Sequence, residues 1–246
     1  MDKIGIKKRI NEIILLLKKE FPDVPAKHEA SDPLDILVAT MLSQNTTDKT
    51  SYRAFMNLKT KFRGWEDVMN SPIKKVKDAI RVCGLTNQKS ESIRSMLKKL
   101  KLKRRKLSLN YLKKLDNEEV YEELLQYNGV GMKTASCVLI FSLGRDVFPV
   151  DTHVHRVTNR LGIANAKTPD KTFHQLKNEI PAGKKFLFHV LLIRFGRKIC
   201  RAGKPLCNEC VLYELCEFKD KEYYAEMNVI SGNTGIDNDF IILEHV

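Results

Sequence analysis

The sequence predicts an all-α fold, and three observations carry that reading. Apolar residues recur at intervals of three and four along most of the chain, the period of a helix with one buried face. Capping residues and prolines stand where those runs begin and end. Only short apolar stretches, such as Val147–Val150 and Phe240–Leu243, suit strands. About ten helices are expected on this pattern. At 246 residues the chain is long enough for one large domain or two smaller ones with a core.

The elements follow in order. Ile6, Ile10, Ile13, Ile14, Leu17 and Phe21 fall on one face of a first helix, which Pro22 and Pro25 end. Asp32 is placed as an N-cap and Pro33 at the first helical position of a second, where its missing N–H costs nothing. Leu34, Leu37, Val38 and Met41 continue that helix. The same period recurs through Tyr52–Leu58, Val76–Val82, Ser90–Leu102, Tyr121–Leu125, Lys133–Leu143, His153–Leu161, Thr172–Ile180 and Lys185–Phe195. After Phe218 the chain becomes acidic and reads as an appendage, flexible or docked as one strand.

Charge narrows the partners. Lys and Arg outnumber Asp and Glu by 43 to 30. Residues 217–246 hold seven acids and two bases, so their net charge is −5 and residues 1–216 carry +18. A surplus of that size fits a polyanionic partner, nucleic acid before an anionic membrane surface. No apolar run approaches a membrane span, and no secretory leader is visible, because Ile13–Leu17 is short and Lys18, Lys19 and Glu20 follow it. A cytoplasmic or nuclear protein with reduced thiols is expected. Seven of the nine residues from Lys98 to Lys106 are basic. They read either as a solvated helix end or as a phosphate-contacting patch.

Cys200, Cys207, Cys210 and Cys216 stand as C-x6-C-x2-C-x5-C. Four thiols so close together in a reduced compartment imply a metal centre. Structural zinc sites commonly pair two C-x2-C knuckles, and only one is present, so spacing leaves zinc and iron–sulfur both open. Cys83 and Cys137 lie in apolar helical settings and read as buried thiols. The first gap holds Arg201 and Lys204, two cations on a tied-down loop suited to phosphate.

Tyr127-Asn128-Gly129-Val130-Gly131-Met132-Lys133 joins two helical patterns. Gly129 and Gly131 allow backbone conformations that side chains block. They also expose N–H groups at the start of the next helix, where the macrodipole favours an anion. Such a helix–hairpin–helix grips a DNA phosphate without reading sequence, although a G-x-G turn also joins helices in ordinary folds. Lys133 lies in the first turn of the following helix, where the positive end of the dipole disfavours protonation. A neutral amine there can attack an electrophilic carbon and form a Schiff base. Asp151 precedes the next helical pattern and suits either a cap or a carboxylate that takes a proton and stabilises positive charge on a sugar. His153 and His155 are two residues apart, off a common helix face, and are not read as metal ligands.

Five motifs together resemble the endonuclease III family, within the helix–hairpin–helix DNA glycosylases. They are Leu42-Ser43-Gln44-Asn45-Thr46-Thr47-Asp48, Gly84-Leu85-Thr86-Asn87-Gln88-Lys89, Asn128 to Ala135, Val150-Asp151-Thr152-His153-Val154-His155-Arg156, and the four-cysteine spacing. They run in family order and cover residues 5–218. The resemblance implies two lobes with the DNA groove and active site between them. One is a six-helix barrel over residues 30–145 that carries the hairpin. The other, residues 1–29 and 146–220, holds a [4Fe-4S] cluster on the four cysteines. Residues 221–246 are a tail to which it assigns no role.

The resemblance further implies that Lys133 is the Schiff-base lysine and Asp151 the catalytic aspartate. Gln44 looks like the residue that fills the gap left by a flipped nucleotide, and Leu85 like a wedge on the opposite strand. The activity implied is a bifunctional glycosylase and abasic-site lyase, acting as a monomer in the cytoplasm at the nucleoid, or in a nucleus. It removes oxidised pyrimidines such as thymine glycol from damaged double-stranded DNA. Relatives that remove adenine opposite oxidised guanine, or thymine from mismatches, usually lack a lysine at this place. Two departures stand at the hairpin entrance: Asn128 where the family often has proline, and Tyr127 where leucine is common.

Overall fold

The computed structural model describes residues 3–27, 29–231 and Val246. Twelve α-helices follow one another among these: α1 (Lys3–Glu20), α2 (Pro33–Ser43), α3 (Asp48–Lys61), α4 (Trp65–Asn70), α5 (Ile73–Ile80), α6 (Thr86–Arg104), α7 (Asn117–Leu125), α8 (Met132–Phe141), α9 (Thr152–Arg160), α10 (Pro169–Leu176), α11 (Lys185–Lys198) and α12 (Lys221–Ser231). Single 3₁₀ turns cover Arg81–Cys83, Asn110–Lys114 and Cys207–Glu209. No strand occurs among the described residues, so the all-α expectation holds.

Two compact units emerge. Residues 29–145 form one, with α2 to α8. Its centre is α2, which is buried on nearly every face from Pro33 to Leu42 and packs on α3 and α8. A helix apolar all round belongs inside. Asp32 caps it: Oδ1 accepts from the Leu34 N–H at 2.9 Å and the Asp35 N–H at 3.2 Å, with Pro33 in the first turn. Asp35 in turn accepts from Trp65 Nε1 and Lys59 Nζ, both at 2.7 Å, tying α2 to α3 and the start of α4. The helix α7 opens on a full capping box between Asp116 and Glu119.

Residues 3–27 and 146–231 form the other unit. There α11 packs on α1 and α9, and α10 on α9. Ile10, Ile13, Ile14, Leu17 and Phe21 of the first segment are buried, as the helical period requires. Two expectations need correction, and a third lies outside the described residues. Val147–Val150 forms no strand; it is a buried extended linker, held by stacking of Phe148 on Phe188 and by the His189 ring, which donates to the Pro149 carbonyl at 3.0 Å. An apolar run without a pairing neighbour has no ladder to join. The segment after Phe218 begins with α12, packed on the Cys207–Glu209 turn. Lys221 donates to the Tyr213 and Cys216 carbonyls, and Phe218 stacks on Tyr224. Phe240–Leu243 lies outside the described residues.

The Lys98–Lys106 cations are largely engaged within the molecule. Lys101 pairs with Glu66, Lys103 and Arg104 with Glu123, Lys99 donates to the Gln126 carbonyl, and Arg104 lies 4.0 Å over the Tyr111 ring. No described helix is long and apolar enough to cross a membrane.

Replacing Asp32 by Ala removes two bonds from the first turn of the central helix. A loss of about 1 kcal/mol is expected, lowering the unfolding midpoint by roughly 2–4 °C in a chain of this size. A melting curve unchanged from the parent would contradict the capping role.

Candidate active site and cysteine site

In the unit of residues 29–145, three helix ends meet around a cavity of about 40 Å³ with both polar and apolar walls. Gln44 is the C-cap of α2, and Asn45 behind it takes a left-handed backbone (φ 53°). Leu85 is the N-cap of α6, also left-handed (φ 49°), with its side chain 51% exposed. Gly129 lies in the turn between α7 and α8. Gln44 Nε2 donates to the Gly129 carbonyl at 2.9 Å. The sequence-predicted residues Gln44, Leu85 and Gly129 thus line one place. Two non-glycine residues with positive φ on its rim mark stored strain, which the surrounding packing must hold.

The hairpin itself is a tight turn: the Val130 N–H donates to the Tyr127 carbonyl at 3.1 Å, and Ala135 to Gly131 at 3.0 Å. Gly129 has φ +83°, and a Cβ there would lie 3.3 Å from Ser92 Oγ, so only glycine suits it. Gly131 is different from expectation. Its φ is −106°, and a Cβ there would meet nothing within 4 Å. Its smallness answers no internal need. It leaves the N-terminus of α8 uncovered, with the first N–H groups of that helix unspent on the helix itself. Lys133 is the second residue of α8 and is half-buried.

In the other unit, Asp151 is the N-cap of α9 and is half-buried. Its Oδ1 accepts from the Val154 N–H at 2.8 Å, which fixes the carboxylate on the first turn. The same helix grips the cysteine loop from its far end. Arg156 donates to the Cys200 carbonyl at 3.0 Å and the Gly196 carbonyl at 2.7 Å. Arg160 donates to the Arg201 carbonyl at 2.7 Å, the Ala202 carbonyl at 3.1 Å and Cys200 Sγ at 3.4 Å, with Phe218 stacked 4.1 Å from its guanidinium. Arg201 and Lys204 therefore stand on a loop fixed at its carbonyls, Arg201 half-buried and Lys204 exposed.

Cys200, Cys207, Cys210 and Cys216 all line one apolar cavity of about 20 Å³, with Leu206 and Phe195 among its walls. Burial pushes the Cys207 thiol up to about 11 and the Cys210 thiol up to about 12, and the charges of neighbouring cysteines add to this. A metal group bound by these thiols would displace their protons. Among the described residues no three His, Cys, Asp or Glu side chains converge as ligands of a single ion. One zinc would draw four sulfurs to about 2.3 Å from a single centre. Four cysteine sulfurs lining one cavity are a donor set that suits either a zinc ion or an iron–sulfur group.

A family model for the HhH-GPD superfamily of base excision DNA repair proteins matches residues 38–182. Over 209 residues the chain is 34% identical to endonuclease III of Thermotoga maritima, a match covering 85% of this chain and 92% of that one. The chain belongs to the endonuclease III family. Membership makes it a base-excision DNA glycosylase. An Arabidopsis thaliana protein named as a DNA glycosylase is 44% identical over 173 residues, covering 70% of this chain. The match spans 59% of that plant protein, less than two thirds of its length. Among solved structures, a trapped covalent intermediate of an endonuclease III with DNA superposes with a TM-score of 0.75 at 28% identity, covering 91% of this chain and 98% of that one.

Lys89 has a place that the sequence did not disclose. It belongs to a recognised motif, yet only the fold shows that its ammonium is buried between two chain segments.

The two hairpin glycines should separate by substitution. Gly129→Ala is expected to destabilise by about 1–3 kcal/mol through its positive φ, whereas Gly131→Ala should melt like the parent. If Gly131→Ala still weakens duplex binding in fluorescence anisotropy, the methyl obstructs the ligand and not the fold. Equal melting of both variants would contradict this assignment.

Proposed function

We propose that this endonuclease III family glycosylase is bifunctional: it removes oxidised pyrimidines from damaged duplex DNA and then cuts the strand through a Schiff base on Lys133. The observation that carries this reading is the place of Lys133, second residue of the helix that follows the hairpin. The N–H groups at that helix start bind a phosphate, so an amine in the same first turn reaches the sugar beside it. The DNA adduct trapped in an endonuclease III at 28% identity supports covalent chemistry.

The steps follow from the chain's own groups. Gly129 and Gly131 expose backbone N–H groups to the DNA phosphates, and Arg201 and Lys204 add charge. Leu85 wedges into the stack and Gln44 fills the gap as the lesion swings out; a poorly stacked base costs less to extrude. Lys133, as the neutral amine, attacks C1′ of the deoxyribose. The C1′–N bond breaks and the base leaves with its electron pair. Asp151 accepts the lysine proton and stabilises the positive charge developing on the sugar. Ring opening gives an imine to Lys133. Loss of a C2′ proton then expels the 3′ phosphate by β-elimination, and water releases the lysine.

Cys200, Cys207, Cys210 and Cys216 would hold a [4Fe-4S] cluster. Its task in this reading is structural: when bound it cross-links the loop that carries Arg201 and Lys204. Iron and acid-labile sulfide in equal amounts, with no zinc, are expected in the purified protein. Zinc without sulfide would overturn the assignment. The protein acts as a monomer on chromosomal DNA.

Lys133→Gln is expected to abolish cleavage of a duplex holding one abasic site, with binding changed by less than about threefold, since the side chain gives only one of many contacts. Asp151→Asn should slow base release by on the order of 100-fold. Gel analysis with and without alkali separates the two steps. Strand cutting by Lys133→Gln, or normal base release by Asp151→Asn, would refute the assigned role.

A further inference from the structure

Lys89 is 4% exposed, the one Lys or Arg among the described residues that is buried outright. A buried ammonium is costly unless each N–H finds a partner. Its Nζ donates to the Leu42 carbonyl at 2.8 Å and the Cys83 carbonyl at 3.0 Å. Both carbonyls lie at helix C-termini. Leu42 is in the last turn of α2, and Cys83 ends the 3₁₀ turn Arg81–Cys83. Carbonyls at such ends lack intrahelical partners and carry partial negative charge.

The two segments so joined each lead directly into a probing residue. Gln44 lies two residues after Leu42, and Leu85 two residues after Cys83. Asn45 and Leu85 are both left-handed there, and Gly84 is too, with φ +66°. Lys89 also belongs to the first turn of α6, its own N–H donating to the Leu85 carbonyl at 3.0 Å. Gln44 reaches across to the Gly129 carbonyl. One ammonium therefore bridges the two segments that lead into the cavity, whose wall Lys89 shares, and holds them at a fixed spacing.

We propose that Lys89 is a positioning residue for base extrusion: by capping two helix ends at once it presets the distance between Gln44 and Leu85. This rests on the wedge and gap-filling roles proposed above. A side chain that presets a wedge matters where a paired base must be forced from the stack. It matters little where the base is already missing.

The test compares two substrates. One is a duplex with thymine glycol paired to adenine, read as base release. The other is the same duplex with a preformed abasic site, read as strand cleavage. Lys89→Met keeps the length and removes the charge and donors. Its expected effect is a loss of about tenfold or more on the paired lesion, the scale of a misplaced reactive geometry, with cleavage of the abasic duplex within about threefold. Leu85→Ala is the control, and the double variant should be no worse than the poorer single variant, since both act on one step. Equal losses on both substrates, or no loss on either, would overturn the proposal. If Lys89→Met does not fold, Lys89→Gln goes through the same comparison on the same terms. Selective loss in Leu85→Ala without selective loss in the Lys89 variant defeats the positioning role alone. A parent inactive on both substrates, or Leu85→Ala neutral on both, defeats instead the reading on which it rests.

Discussion

An α-helix leaves its first N–H groups and last carbonyls without partners inside the helix, and the candidate site residues of this protein stand at such ends. Gln44 ends α2, Leu85 opens α6, Gly131 opens α8 and Asp151 opens α9. A helix end is rigid on one side, because the helix packs, and polar on the other. It can hold a side chain or an amide at a fixed point while keeping it available to a ligand. Both ends of α2 are satisfied from within the protein, by Asp32 at one end and by the buried Lys89 at the other.

The helix α9 extends this logic through its length. Asp151 caps its first turn, and Arg156 and Arg160 from later turns take the carbonyls of Gly196, Cys200, Arg201 and Ala202. A carboxylate and a cysteine loop distant in sequence are thus set by one rigid element. Further ties hold the loop: Arg9 donates to the Leu215 carbonyl and pairs with Glu217, and Lys221 of α12 donates to the Cys216 carbonyl. Any group bound by the four thiols is held in a frame that is already stiff on several sides.

Local signals were legible where local physics decides. Asp32 before Pro33, and Asp151 before its helix, could be read as caps because the cap bond spans only two or three residues. The apolar faces of α1 and α11 followed from period alone. Long-range facts were not legible. Val147–Val150 has the composition of a strand, and only the absence of a pairing partner among the described residues makes it a linker. The start of α12 hid in an acidic segment whose docking groups, Lys221 and Phe218, meet partners set by the fold. Gly129 and Gly131 looked equivalent as letters, yet one needs a left-handed backbone and the other does not. The burial of Lys89 shows only once Leu42 and Cys83 are brought to it across 47 and 6 residues. The basic run Lys98–Lys106 had two readings, and Glu66, Glu123 and Tyr111 now occupy several of its cations.

The central claim is that the reacting amine belongs to Lys133, and borohydride trapping tests it most directly. The protein is mixed with a duplex carrying one thymine glycol, reduced, digested with protease, and the cross-linked peptide is sequenced by mass spectrometry. A covalent adduct with the sugar attached at Lys133 is the expected result. Release of free base with no adduct, or an adduct mapped to any other amine, would contradict it.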